Sequence, residues 1–132
     1  MDVRVKRAYA EAEATDGYRV LIDRLWPRGV SRAHARLDEW ARELAPSDEL
    51  RRWFGHAPER FSEFRARYRA ELRSHSERLE ELRARARRGP LTLVYAARDE
   101  CHNDAVVLAE LLREDHRPAR ARQRGERKRA EG

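Results

Sequence analysis

The segment Tyr18-Arg19-Val20-Leu21-Ile22 is almost wholly apolar and runs straight into Asp23-Arg24-Leu25-Trp26-Pro27-Arg28-Gly29. A strand that is apolar on both sides has to be covered on both faces, as in parallel sheets layered with helices. The turn that follows is built rather than left over. Pro27 presets one backbone angle, and Gly29 permits a positive φ that other residues resist. It carries two arginines, an aspartate and a tryptophan off the carboxyl end of a strand, which is where α/β sheets place their ligands.

Two further stretches read as strands. Residues 3–10 alternate apolar Val3 and Val5 with basic Arg4 and Lys6, and residues 91–97 form a second apolar run launched by Gly89-Pro90. The segments between them have helical spacing. Ser31 is positioned to cap a short helix, and Leu37, Trp40 and Leu44 continue at helical intervals up to Pro46. Ser47, followed by Asp48 and Glu49, starts another helix that Gly55 closes. Pro58 suits the first turn of a third, in which Phe61, Phe64, Tyr68 and Leu72 share a face, and Leu79, Leu82 and Ala86 repeat the pattern. Asn103 caps a last helix that buries Val106, Val107, Leu108, Leu111 and Leu112. The predicted class is α/β: a small, mainly parallel sheet of about three strands flanked by helices, with a helical middle segment. The predicted organisation is one α/β domain over residues 1–116 and a basic disordered tail over 117–132, where almost nothing is available to bury.

The chain has 132 residues and a formal charge of +6. Seven basic and two acidic residues between Arg117 and Gly132 supply +5 of that, so the remainder is nearly neutral. Nucleic-acid binding is therefore expected only through the tail. One cysteine, Cys101, allows no internal disulfide and fits a reducing cytoplasm. No run approaches the ~20 apolar residues of a membrane span, so no membrane partner is expected. The histidines are scattered and no metal-ligand spacing is present, so neither metal nor cofactor is expected. Oligomeric state is not legible.

Two clusters carry chemistry. In the first, Arg24 and Arg28 form a clamp for a carboxylate or phosphate through forked guanidinium donors, and Trp26 provides an aromatic wall. The structural alternative pairs Arg24 with Asp23 or Asp38 and makes Trp26 a packing residue. In the second, Tyr95-Ala96-Ala97-Arg98-Asp99-Glu100-Cys101-His102-Asn103 has the layout strand, polar loop, helix amino terminus. Free amides at the helix start favour an anion, Arg98 strengthens that preference, and His102 is a proton-transfer candidate. The structural alternative makes Asp99 or Asn103 a helix cap. Cys101 and His102 are adjacent in sequence, but neighbours often point apart, so His102 is the better candidate. Trp53-Phe54-Gly55-His56 reads mainly as core, with His56 able to reach the site.

Asp23-Arg24-Leu25-Trp26-Pro27-Arg28-Gly29, Glu43-Leu44-Ala45-Pro46-Ser47, Trp53-Phe54-Gly55-His56, and Tyr95-Ala96-Ala97-Arg98-Asp99 with His102-Asn103 resemble the YeaO-like branch of domain-of-unknown-function family 488. The resemblance covers residues 1 to about 116 and implies a compact α/β domain; it brings no established reaction. That branch usually carries an acidic or other polar residue where Cys101 stands, while more distant branches have Cys-His-Arg. Keeping histidine but not arginine here again favours His102.

The combined expectation is a domain holding a small anionic, nucleotide-like or phosphorylated metabolite. Arg24, Arg28, Arg98, Trp26 and His56 would form the binding set, with His102, Asp99 and Asp23 as catalytic candidates. The competing expectation is a non-catalytic sensor or interaction module using the same clamp.

Overall fold

A computed structural model describes residues 1–114. The elements run β1 (Val3–Arg7), β2 (Tyr18–Leu21), α1 (Arg32–Ala35), β3 (Glu39–Trp40), α2 (Asp48–Phe54), α3 (Phe61–Leu72), α4 (Ser76–Arg88), β4 (Leu91–Tyr95) and α5 (Asp104–Glu114). The four strands form one parallel sheet in the order β1-β4-β2-β3. The predicted α/β class with a small parallel sheet and a helical middle is the observed one. The expected tail at 117–132 lies outside the described residues.

One element differs from its expectation. Leu37, Trp40 and Leu44 do not lie on one helix: α1 stops at Ala35, where Arg36 adopts a left-handed conformation (φ 48°), and Glu39–Trp40 add a fourth strand. Val20 stands opposite Glu39 and Leu21 opposite Trp40, and the Arg19 and Leu21 carbonyls accept the Asp38 and Ala41 amides at 2.9 and 2.8 Å, so the edge of β2 takes up this backbone. Trp40 then covers the sheet instead of a helix flank.

Alternation along the strands sorts the core into two layers. Val20, Ile22, Leu91, Leu93 and Tyr95 point to the helical side, where Phe54, Phe64, Tyr68, Leu82, Leu108 and Leu112 close over them. Leu21 and Val94, with Ala8, point the other way and are covered by Trp26, Leu37 and Trp40. The apolar run of β2 is thus covered on both faces, as a parallel strand requires. The helix signals are equally local. Ser31, Ser47 and Asn103 accept from the amides of His34, Leu50 and Val106 at 3.0, 3.2 and 2.9 Å, and Gly55 ends α2 at φ 54°.

A buried polar network locks β2 in place on the second face. The Arg19 guanidinium, 3 % exposed, pairs with Asp16 at 2.7 Å and donates twice to the Ala35 carbonyl. Lys6 and the Glu13 amide also reach the Asp16 carboxylate, and Thr92 of β4 donates to the Asp16 carbonyl. Beside it Gly17 sits at φ 69°, and a Cβ there would lie 2.2 Å from the Pro90 carbonyl oxygen, so only glycine lets β2 start this close to β4. Among the described residues no helix is long and apolar enough to cross a membrane.

Candidate functional site

β2 and β4 are parallel neighbours, so their carboxyl ends meet at one edge. The Ile22 amide continues the ladder to the Val94 carbonyl at 3.2 Å. One step on, the Asp23 side chain replaces the backbone as acceptor and takes the Ala96 amide at 2.8 Å. A cavity of about 700 Å³ opens at this edge, between the 23–28 turn, the end of α2 and the loop leading into α5. Its size falls within the usual range for small-molecule sites. Arg24, Arg28, Arg98 and Trp26 all line it, as do Asp23, His56, Asp99 and His102. The tertiary structure thus collects in one concavity the residues that the sequence places in three separate segments.

The arginines differ in what they already hold. Arg24 is paired with neither Asp23 nor Asp38; it meets Asp48 at 2.5 Å, and Arg51 shares that carboxylate at 2.8 Å. Asp38 instead accepts the Arg19 amide. Arg28 and Arg98 are exposed, and neither has a carboxylate partner among the described residues. Trp26 both borders the cavity and packs. Its ring lines the cavity and meets Trp40 edge-on at 5.4 Å, while its indole N–H is held by the Val30 carbonyl at 2.6 Å. His56 adopts φ 57° directly after Gly55, an uncommon conformation for a residue with a Cβ, and this places it on the cavity wall.

Asp99 organises the loop before α5. It accepts the amides of Cys101 and His102 at 2.9 and 3.0 Å and meets His102 Nδ1 at 2.8 Å. The Cys101 amide, followed by the His102 ring, holds the Asp99 carboxyl below its ordinary range. A carboxylate at Nδ1 assigns the proton to that nitrogen and leaves Nε2 as the available one. The ring itself rests edge-on against Phe61 at 5.0 Å. Cys101 is exposed and does not line the cavity.

Sequence reasoning missed Asp104. This residue begins α5 and lines the same cavity as Asp23, whose charge acts on it. Burial, reinforced by the Asp23 charge, pushes Asp104 well above the ordinary carboxyl range. Burial also raises Asp23, although Asp104, the Ala96 amide and the charges of Arg51 and His56 pull it part of the way back. The pair therefore retains a proton where two isolated aspartates would have lost theirs. At the start of α5, Asn103 Oδ1 accepts from the Val106 amide at 2.9 Å. In the sequence, an acid beside an asparagine cap reads as an ordinary first-turn residue complementing the helix dipole. Only the neighbouring strand end makes it part of a pair.

Arg51, Phe54 and Phe64 also line the cavity and were likewise not singled out as site residues; Phe54 and Phe64 carry only the signal of core packing, and Arg51 reads as an ordinary basic residue in the last turn of α2. Among the described residues, no group of three or more His, Cys, Asp or Glu side chains is placed to hold a metal ion.

Residues 2–129 match the family model described as the inactive DUF488-N3 subclade. The chain belongs to DUF488. Within this family it is similar to the uncharacterized protein YeaO of Escherichia coli (strain K12), with 45 % identity over 113 residues, covering 86 % of this chain and 98 % of YeaO. It is also 46 % identical over 110 residues to the uncharacterized protein Rv3073c of Mycobacterium tuberculosis (strain ATCC 25618 / H37Rv), covering 83 % of this chain and 92 % of the relative. The uncharacterized protein Mb3100c of Mycobacterium bovis matches to the same extent. No solved structure matches the chain. The DUF488 resemblance seen in the sequence motifs is therefore family membership, and those motifs border the cavity.

Proposed function

We propose that this DUF488 domain is a binding module for a small anionic metabolite, nucleotide-like or otherwise phosphorylated. The observation that carries this reading is the presence of Arg28 and Arg98, without carboxylate partners among the described residues, on one cavity at the carboxyl edge of the sheet. Guanidinium groups present planar, forked donors suited to phosphate or carboxylate oxygens. Trp26, Phe54 and Phe64 offer an apolar wall against which a base or ring would stack. The family description as an inactive subclade supports binding without turnover.

A second reading keeps catalysis, and the Asp99–His102 contact favours it. A carboxylate-oriented imidazole with a free Nε2 beside a ligand site is the arrangement of a general acid or base.

Native mass spectrometry of the purified protein for a retained metabolite, followed by calorimetric titration with that compound, tests both readings. Arg28→Ala and Arg98→Ala should each weaken binding by at least about tenfold, the scale of one lost charge-assisted hydrogen-bond pair. Unchanged affinity in both variants would overturn the proposal. Chemical conversion of the bound compound that His102→Ala abolishes without loss of binding would replace the sensor reading with the enzymatic one.

A further inference from the structure

The two sides of the sheet treat their arginines differently. On the helical side each arginine of α3 has a carboxylate: Arg65 meets Glu110 at 2.6 Å, and Arg67 and Arg69 meet Glu63 and Glu114. The other side is covered by residues of the 23–40 segment. There Arg28, Arg32 and, just beyond, Arg42 are exposed, and none has a carboxylate partner among the described residues. The acids of the same stretch are turned elsewhere. Asp38 accepts the Arg19 amide at 2.8 Å, and Glu39 and Glu43 both pair with Arg78. A body whose formal charges nearly cancel therefore carries a locally cationic face.

Aromatic rings stand between these cations. Arg32 stacks on Trp26 with its guanidinium 5.1 Å from the ring centre, Trp26 meets Trp40 edge-on at 5.4 Å, and Arg42 stacks on Trp40 at 4.2 Å. Both indoles are fixed: the Val30 carbonyl holds the Trp26 N–H at 2.6 Å, and the Asp23 carbonyl holds that of Trp40 at 2.8 Å. Tyr9, 43 % exposed, extends the row past the turn. Its hydroxyl donates to the Arg28 carbonyl at 2.9 Å, and Arg7 lies 5.0 Å over its ring. Arg7 itself is committed to the Ala96 and Ala97 carbonyls, so it positions Tyr9 and leaves the exposed arginines to meet a partner.

We propose that this row is a docking surface for single-stranded nucleic acid, with Arg28, Arg32 and Arg42 on the phosphates and Tyr9 and the stacked Arg–Trp pairs beneath the bases. A guanidinium lying flat on an indole has given up rotamer freedom before the partner arrives. It presents its outer plane to a base and its N–H edge to a phosphate. Cations alone would suit any polyanion, whereas cations interleaved with rings favour a strand whose bases are unpaired. A duplex hides its base faces and gains only the charge contribution. These contacts address bases and phosphates and not the sugar, so ribose and deoxyribose strands bind alike. The surface does not depend on the small-anion cavity: Arg32, Trp40 and Arg42 lie off the cavity wall, and Trp26 and Arg28 are shared.

Fluorescence anisotropy of labelled oligothymidylate and oligouridylate of about twelve nucleotides, titrated with the full-length protein, tests this. The two should bind within about threefold of each other, and at least about threefold more tightly than a duplex of equal length at the same salt. Arg32→Ala and Arg42→Ala, each checked for a native thermal transition, should each weaken binding about fivefold and reduce the slope of log affinity against log salt by about 0.7. Arg42→Lys separates stacking from charge: it should keep the salt slope of the parent yet lose at least about half of the affinity. In a Trp53→Phe background, which leaves Trp26 and Trp40 as the reporting indoles, the strand should quench tryptophan emission. Unchanged affinity in both alanine variants would place the strand elsewhere on the chain and overturn the proposal, whatever the cavity binds. Binding without quenching, or a duplex bound as tightly as the single strand, would reduce the face to a general polyanion site and overturn it too. Polyglutamate of equal charge competing as well as oligothymidylate would assign the face to an acidic protein instead.

Discussion

Replacing Asp16 with alanine tests how β2, the strand that delivers Asp23 to the cavity, is fixed. Asp16 is 4 % exposed and its carboxylate receives the Arg19 guanidinium at 2.7 Å, Lys6 at 3.0 Å and the Glu13 amide at 3.0 Å. Alanine would leave Arg19, 3 % exposed, with only the Ala35 carbonyl against its charge. Removing one partner of a buried pair typically costs about 3–5 kcal/mol, because the surviving charge stays desolvated. Against a total stability of roughly 5–15 kcal/mol this is a large fraction. At roughly 3–6 °C per kcal/mol for a chain of this size, Tm should fall by roughly 9–30 °C. Asp16→Asn keeps the shape and the acceptor for the Glu13 amide, so it should fall between the alanine variant and the parent. The pH dependence has a definite sign. Burial raises the Asp16 carboxyl, but the Glu13 amide, Lys6 and Arg19 outweigh it and the net shift is downward from 3.8. Its stabilisation is thus fully present above that unfolded value and is lost as pH falls through the lower folded value. Circular-dichroism melts from pH 2 to pH 7, read against the carboxylate range, would show a shallower acid limb in Asp16→Ala than in the parent. A stability loss under about 1 kcal/mol with an unchanged denaturant slope would refute the reasoning, because it would mean that Arg19 finds water or another partner.

Gly17→Ala should cost about 2–4 kcal/mol in urea unfolding, combining a left-handed backbone with a Cβ driven against the Pro90 carbonyl; a loss below about 0.5 kcal/mol would show that the β2–β4 start relaxes easily. The raised carboxyl of Asp104 has the opposite linkage to that of Asp16: it penalises the fold progressively as pH rises from the unfolded value of 3.8 towards the folded one. Asp104→Asn should accordingly flatten the decline of Tm with pH above that value, and an unchanged profile would count against a shared proton. Cys101→Ser should leave both the melt and ligand affinity within about 0.5 kcal/mol, since the thiol is exposed and off the cavity wall; covalent ligand trapped on Cys101 would reverse that judgement.

The sequence by itself determined what depends on short-range chemistry. Alternation marked β1, apolar runs marked β2 and β4, and side-chain oxygens one turn from their target amides marked the caps at Ser31, Ser47 and Asn103. Because parallel α/β sheets concentrate strand carboxyl ends at one edge, the arginine-bearing turn after β2 and the loop after β4 already indicated that they border one cavity. DUF488 membership was legible because the motifs that carry it are contiguous stretches of sequence. Tertiary structure decided what depends on proximity through space. Glu39–Trp40 became a strand only because β2 offered it a free edge, something that two residues cannot announce. Arg24 found Asp48 rather than the nearer-in-sequence Asp23, because side-chain reach outweighs chain separation. Asp104 reads as a helix-start acid until β2 brings Asp23 beside it, and desolvation at that junction converts two ordinary aspartates into a proton-holding pair.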